Sequence, residues 1–281
     1  MTDRRQFLLA SLSAAASAIA ADSERAPIKI AHREGNMLKQ SSPTVYELAA
    51  GIGGVSGVEV QTVRSRLWDR ETALTYKRES MRWNIRTVSM GGVMAPGASL
   101  AKPSTAEESI RKAIIGAEIL GAGVVLVPAF RQDCPKMDDE ASYGLVVELL
   151  QKLAPAARDV GAVLGLELSL SLEEHRKLMA LVAHPAIRIY WDAHGVDSMA
   201  HPTEGLKGIE TLGDLICQQH LKNGRIPLLE EPGLIDWTKG LPAIKASGYQ
   251  GWLAFETPHD TPELCVEQTR RNLAFIQRFL A

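Results

Sequence analysis

From Ile28 to the C-terminus, short runs of Val, Ile and Leu alternate with longer stretches whose apolar residues recur at helical spacing. The runs predict eight strands: IKIAH (28–32), VEVQTV (58–63), IRTVSM (85–90), VVLVPAF (124–130), AVLGLEL (162–168), IRIYW (187–191), LICQQHL (215–221) and GWLAF (251–255). Several are near-continuous apolar runs, as expected of parallel strands covered on both faces. Between them lie helices with boundary signals. Ser104 and Glu107 have capping-box spacing, Ile110, Ile114 and Ala117 share a face, and Gly121 stands where that helix should stop. Thr261 and Pro262 open a last helix whose Leu273, Ile276 and Leu280 share a face. Eight βα pairs predict a closed (β/α)8 TIM barrel over residues 21–281. A doubly wound sheet fits less well, because no G-x-G-x-x-G follows the first strand.

Residues 1–20 stand apart from this pattern. Arg4-Arg5, an apolar stretch from Phe7 and small residues up to Ala20 predict a cleavable export signal of the twin-arginine type. The mature chain is expected in the periplasm, with no further run long enough to span a bilayer and no stable membrane anchor. Composition adds exclusions. With 46% apolar and 23% charged residues, the chain of 281 residues has ample material for a core. A formal charge of −2 gives no basic surplus to neutralise phosphates, so nucleic acid is not an expected partner. Cys134, Cys217 and Cys265 are odd in number and widely spaced, which indicates buried thiols and not a disulfide framework.

In a TIM barrel the C-terminal ends of the strands converge on one mouth. Four polar residues fall there, one per successive βα unit: Glu167, Asp192, His220 and Glu256. Three carboxylates meeting an imidazole would repel one another unless a divalent cation neutralised them. The oxygen-rich set suits Mn, Mg or Co, with Zn also possible. Near the first strand, His32-Arg33-Glu34 either lines a pocket or forms a solvated cluster. Trp191 adjoins Asp192, but strand alternation directs it toward the helices.

The stretches GLELSLSLEE, IYWDAH, QQHLKNGR and IDWTKGLPAIKASGYQGWLAFET resemble the sugar phosphate isomerase/epimerase family, the xylose isomerase-like barrels. GVEV near the second strand and RKAIIGAEILGAG before VVLVP extend the likeness over nearly all of the mature chain. The resemblance implies one divalent metal ion held by Glu167, Asp192, His220 and Glu256, with Glu167 and Glu256 also acting as the catalytic proton-transferring pair. It further implies substrate contacts from Glu173, from His194 and from Arg225, the last two displaced slightly from the family's offsets. His32 joins these as a candidate for substrate binding. Where many relatives read H-x-K-D, this chain has His220-Leu221-Lys222-Asn223 and lacks the acidic group. The implied chemistry is proton abstraction next to a carbonyl through an enediolate, giving isomerisation or epimerisation. The alternative is a lyase or dehydratase reaction on a keto-sugar, 3-keto-glycoside or inosose. A non-catalytic sugar-binding barrel is the third expectation. Export favours an unphosphorylated sugar as the small-molecule partner, and relatives of this kind often form homodimers or homotetramers.

Overall fold

The computed structural model describes residues 29–199 and 201–280, so the export signal expected at 1–20 lies outside the described residues. The strands are β1 (Lys29–Arg33), β2 (Gly57–Gln61), β3 (Arg86–Gly91), β4 (Val124–Ala129), β5 (Val163–Leu168), β6 (Ile187–Asp192), β7 (Ile216–Leu221) and β8 (Trp252–Phe255). All neighbours pair in parallel, and β8 closes on β1 through Lys29 opposite Trp252 and His32 opposite Phe255. The result is the eight-stranded barrel that the apolar runs predict. Each run lies within two residues of its strand, since local pattern marks a strand's centre better than its ends.

Alternation along the strands divides the apolar residues between two destinations. Val124, Leu126 and Tyr190 pack together inside the barrel, while Ala31, Val88 and Ala254 form a second small cluster with Trp252. Val125, Val127, Ile189 and Trp191 belong instead to the large core shared with the surrounding helices. Trp191 is fully buried there and donates its indole N–H to the Gly205 carbonyl at 2.9 Å, pointing away from the interior as alternation requires.

The helix Pro103–Leu120 corrects one boundary. Ser104 does not cap it; Lys102 takes the N-cap place without a side-chain bond, and Pro103 is the first helical residue. Proline's fixed φ and missing N–H suit that position, so the helix starts earlier than the capping pattern suggests. Glu107 pairs with Arg111 at 2.9 Å and with Lys152 at 2.8 Å. At the other end Gly121 adopts φ +74°, and its N–H returns to Ala117 O at 2.8 Å, as expected of a left-handed cap. The helix Pro262–Leu280 opens on the Thr261 hydroxyl, which accepts the Leu264 N–H at 3.3 Å.

Candidate active site

The C-terminal ends of β5, β6, β7 and β8 bring four side chains together. Glu167, Asp192, His220 and Glu256 each offer a ligand atom, and these atoms lie within 4.8 Å of one another. His220 Nδ1 is 3.0 Å from Glu167 Oε1 and 3.3 Å from Glu256 Oε2. Two permanent cations join them. Lys222 Nζ lies 2.6 Å from both Asp192 Oδ2 and Glu256 Oε2, and Arg33 pairs with Glu256 through Nη1. Register explains the grouping: β6 and β7 place Asp192 directly opposite His220, and the Glu256 N–H donates to Leu221 O at 3.0 Å.

Beneath this cluster lies a buried polar layer. Glu59 of β2 is fully buried, with Oε1 3.2 Å from Arg33 Nε and 3.4 Å from His220 Nε2. Its Oε2 accepts from Ser89 at 3.0 Å and from Tyr190 at 2.8 Å. The Gln218 amide donates to Ser89 and Tyr190 in turn, at 2.9 and 2.8 Å. Gly91 makes room for this carboxylate, since a Cβ there would stand 2.7 Å from Glu59 Oε1. Glu59 therefore stands where a carboxylate would orient a ligating histidine, leaving Nδ1 to face Glu167 and Glu256.

Burial is the largest influence on His220, Glu167 and Glu256. It would lower His220, but the carboxylates of Glu256, Glu59 and Glu167 outweigh it and push the imidazole up to about 10. Burial raises Glu167 above the usual carboxylate range despite His220 beside it. Burial alone would raise Glu256 as well, but His220, Arg33 and Lys222 together bring it down to about 2.

Three observations fit this set to a divalent cation. Both oxygens of Asp192 are buried; Oδ2 faces the Lys222 ammonium at 2.6 Å, and Oδ1 has no partner. Buried anions left in that state are costly unless a cation completes them. With all four ionised, Glu59, Glu167, Asp192 and Glu256 outnumber Arg33 and Lys222 by two charges, an excess that a divalent ion would cancel on displacing the protons held by His220 and Glu167. Three hard oxygens with one imidazole are donors suited to Mg²⁺, Mn²⁺ or Co²⁺ and acceptable to Zn²⁺.

The other expected residues take different places. His194 is half-buried on the short helix Ala193–Ser198; burial lowers its pKa, with Asp192 and Lys222 the nearest charges. Gly224 accommodates it, having φ +66° and space where a Cβ would come within 2.8 Å of His194 Nε2. Glu173 is exposed in the first turn of the helix Leu172–Val182, and Arg225 is exposed in the loop after β7. Neither belongs to the buried cluster. His32, Arg33 and Glu34 diverge. Arg33 enters the cluster, and Glu34 accepts bonds from Ser42 N, Gln61 N and Tyr76 Oη. His32 turns outward to His259 and Cys265, so it does not reach the cluster; alternation along β1 gives that place to Arg33.

Glu59 and Lys222 are the members that strand-end reasoning missed, whereas of His32-Arg33-Glu34 it is Arg33 that joins the cluster. A charge inside the apolar run GVEV was the available signal for Glu59, because a glutamate there must be buried and paired. Asn223 has a structural task. Its amide donates to Ile235 O at 3.1 Å and accepts from Ile235 N at 3.0 Å, fastening the loop after β7. Asn223→Asp would set a carboxylate against that carbonyl. We expect it to destabilise the fold by about 1–3 kcal/mol, read from denaturant melts, in spite of restoring the family's acidic residue.

The described helices include none long and apolar enough to cross a membrane. No curated protein matches the chain. Among solved structures, it resembles D-psicose 3-epimerase from Clostridium cellulolyticum H10, solved with D-tagatose (13% identity, TM-score 0.74, covering 90% of this chain and 99% of that one). It also resembles 3-keto-D-glucoside 4-epimerase from E. coli (14%, 0.71, 89% and 99%). A third is the IolI protein with a zinc atom (15%, 0.69, 90% and 100%). At these identities the likeness establishes the fold. The family profile described as xylose isomerase-like TIM barrel matches residues 46–279, most of the chain, and the protein belongs to that family.

Proposed function

We propose that the chain is a divalent-metal-dependent isomerase or epimerase of an unphosphorylated sugar or keto-sugar. The observation that carries this reading is the pair Glu167 and Glu256, within 3.0 and 3.3 Å of His220 Nδ1 and grouped with Asp192, whose Oδ1 is buried without a partner. Neighbours named as epimerases of D-psicose and of a 3-keto-D-glucoside support it. The Arg4-Arg5 export signature supports an unphosphorylated substrate, because sugar phosphates are handled in the cytoplasm.

Glu167, Asp192, His220 and Glu256 would hold the ion, which when bound polarises a carbonyl and acidifies the adjacent C–H. The rest falls to the protein's own groups. Glu256, kept ionised by Arg33 and Lys222, takes the proton beside the carbonyl. Glu167, whose burial favours the protonated form, returns a proton from the other side. The two exchange roles in the reverse direction. Glu59 fixes the ring of His220, and the low exposure of both glutamates, 8% and 13%, limits proton loss to water. Return to the same carbon gives an epimer, and return to the neighbouring carbon gives aldose–ketose isomerisation.

Lys222 favours a second reading. Its ammonium at the mouth, held charged by Asp192 and Glu256, would stabilise the developing charge on an oxygen leaving group, turning the same first step into elimination from a keto-glycoside or inosose.

The test is solvent deuterium incorporation, followed by NMR, with metal-loaded protein and a panel of free ketoses, 3-keto-glycosides and inososes. Metal-dependent exchange of the proton next to the carbonyl is the expected result. An epimer or isomer as product selects the first reading, and an eliminated fragment selects the second. Absence of exchange across the panel with metal bound would overturn both and leave a sugar-binding barrel.

A further inference from the structure

A second cluster lies outside the barrel interior, at the seam where the first and last strands meet. His32 at the end of β1 is fully buried, His259 lies in the loop after β8, and Cys265 is buried in the first turns of the last helix. His32 Nε2 is 3.3 Å from His259 Nε2 and 3.9 Å from Cys265 Sγ, and the three candidate ligand atoms fall within 4.8 Å of one another. A tetrahedral zinc ion, with nitrogens at about 2.0 Å and sulfur at about 2.3 Å, sets its ligand atoms roughly 3.3–3.7 Å apart.

The second partners of both rings point to the same conclusion. His32 Nδ1 is 3.3 Å from the Arg33 carbonyl, which can only accept, so that nitrogen carries the proton. His259 Nδ1 is 2.7 Å from Gln268 Oε1, again an acceptor. Each ring therefore presents an Nε2 lone pair to the other. Thr257 Oγ1, 3.0 Å from His259 Nε2, has one proton to give, and the Cys265 thiol is a weak and distant donor to His32. Two facing lone pairs in a buried place repel, whereas a shared cation satisfies both. Outer hydrogen bonds that fix a ligating tautomer are the usual companions of a metal-bound histidine.

We propose that His32, His259 and Cys265 form a zinc site separate from the carboxylate-rich site at the barrel mouth. The donor set of two imidazoles and a thiolate is softer than the mouth's oxygens and selects zinc over magnesium or manganese. On binding, the Cys265 thiol releases its proton to solvent. Of the three ligands, His259 borders a cavity of about 270 Å³ lined also by Gly35, Met37 and Thr261. Zinc there would tie β1 to the segment after β8, and so hold Arg33 and Glu256, which lie on those two segments, in register.

The test does not depend on the reaction catalysed. Full-length protein is stripped with chelator, dialysed against zinc and analysed for metal; a parallel sample takes Co²⁺ for absorption spectroscopy. Wild type is expected to retain about two zinc ions per chain, and Cys265→Ser and His259→Ala about one each. His220→Ala is expected to lose the mouth ion but keep the near-ultraviolet thiolate-to-cobalt band, which Cys265→Ser abolishes. Circular dichroism verifies that each variant is folded, and His259→Ala at its half-buried position serves if Cys265→Ser is not. Lack of the thiolate band in wild type, or unchanged zinc content in folded Cys265→Ser or His259→Ala, would overturn the proposal. Loss of zinc from the mouth alone would instead count against the four-ligand reading there.

Discussion

Glu256→Gln is expected to lower kcat by about a hundredfold to ten-thousandfold, the range for loss of a positioned acid–base group. Glutamine keeps the volume of the side chain but can neither take nor return a proton. It also removes the anion faced by both Arg33 and Lys222, leaving Lys222 with Asp192 as its remaining carboxylate partner in the cluster. Because Glu256 is at once a proposed ligand and a proposed base, kinetics and metal content must be measured on the same preparation. Reduced metal content with proportionate activity would assign it to ligation, and a fall in turnover at full metal loading would assign it to proton transfer. Wild-type turnover would refute the mechanism. Glu167→Gln should behave alike in exchange experiments, since both carboxylates are needed for the proton to leave from one side and return from another.

Glu59→Ala should have the largest effect on stability, about 3–5 kcal/mol, as when one partner is removed from a buried charge pair. Glu59 is fully buried and faces Arg33, His220, Ser89 and Tyr190 simultaneously, so its loss leaves Arg33 Nε, His220 Nε2 and two hydroxyls without their carboxylate partner. The same substitution frees the His220 ring, and metal affinity at the mouth should fall by about 10- to 100-fold. Calorimetry with and without added divalent metal separates these effects. A loss of stability that added metal fully masks would mean that Glu59 acts through the ion, and one independent of metal would mean that it acts through Arg33. A variant as stable as wild type, with unchanged metal binding, would contradict the orienting role assigned here.

The sequence by itself determined the barrel. Parallel strands covered on both faces must be apolar throughout, so eight runs of Val, Ile and Leu were visible as strands, and their spacing left room for one helix each. The set Glu167, Asp192, His220 and Glu256 was legible for the same reason, since a polar residue ending an otherwise apolar run stands out, and the fold sends strand ends to one place.

Tertiary structure decided what lies between the strands. Nothing local says that Arg33 of the first strand pairs with Glu256 after the last, because that contact exists only once the barrel closes. Glu59 looked like one charge in GVEV until β2, β3, β6 and β7 enclosed it, and Asn223 looked like a lost acid until the following loop folded back onto it. Register made the remaining choice, turning Arg33 inward and His32 outward toward Cys265. Pleating fixes that two neighbours in a strand part company, but only the closed sheet and its covering helix determine which partner each one meets.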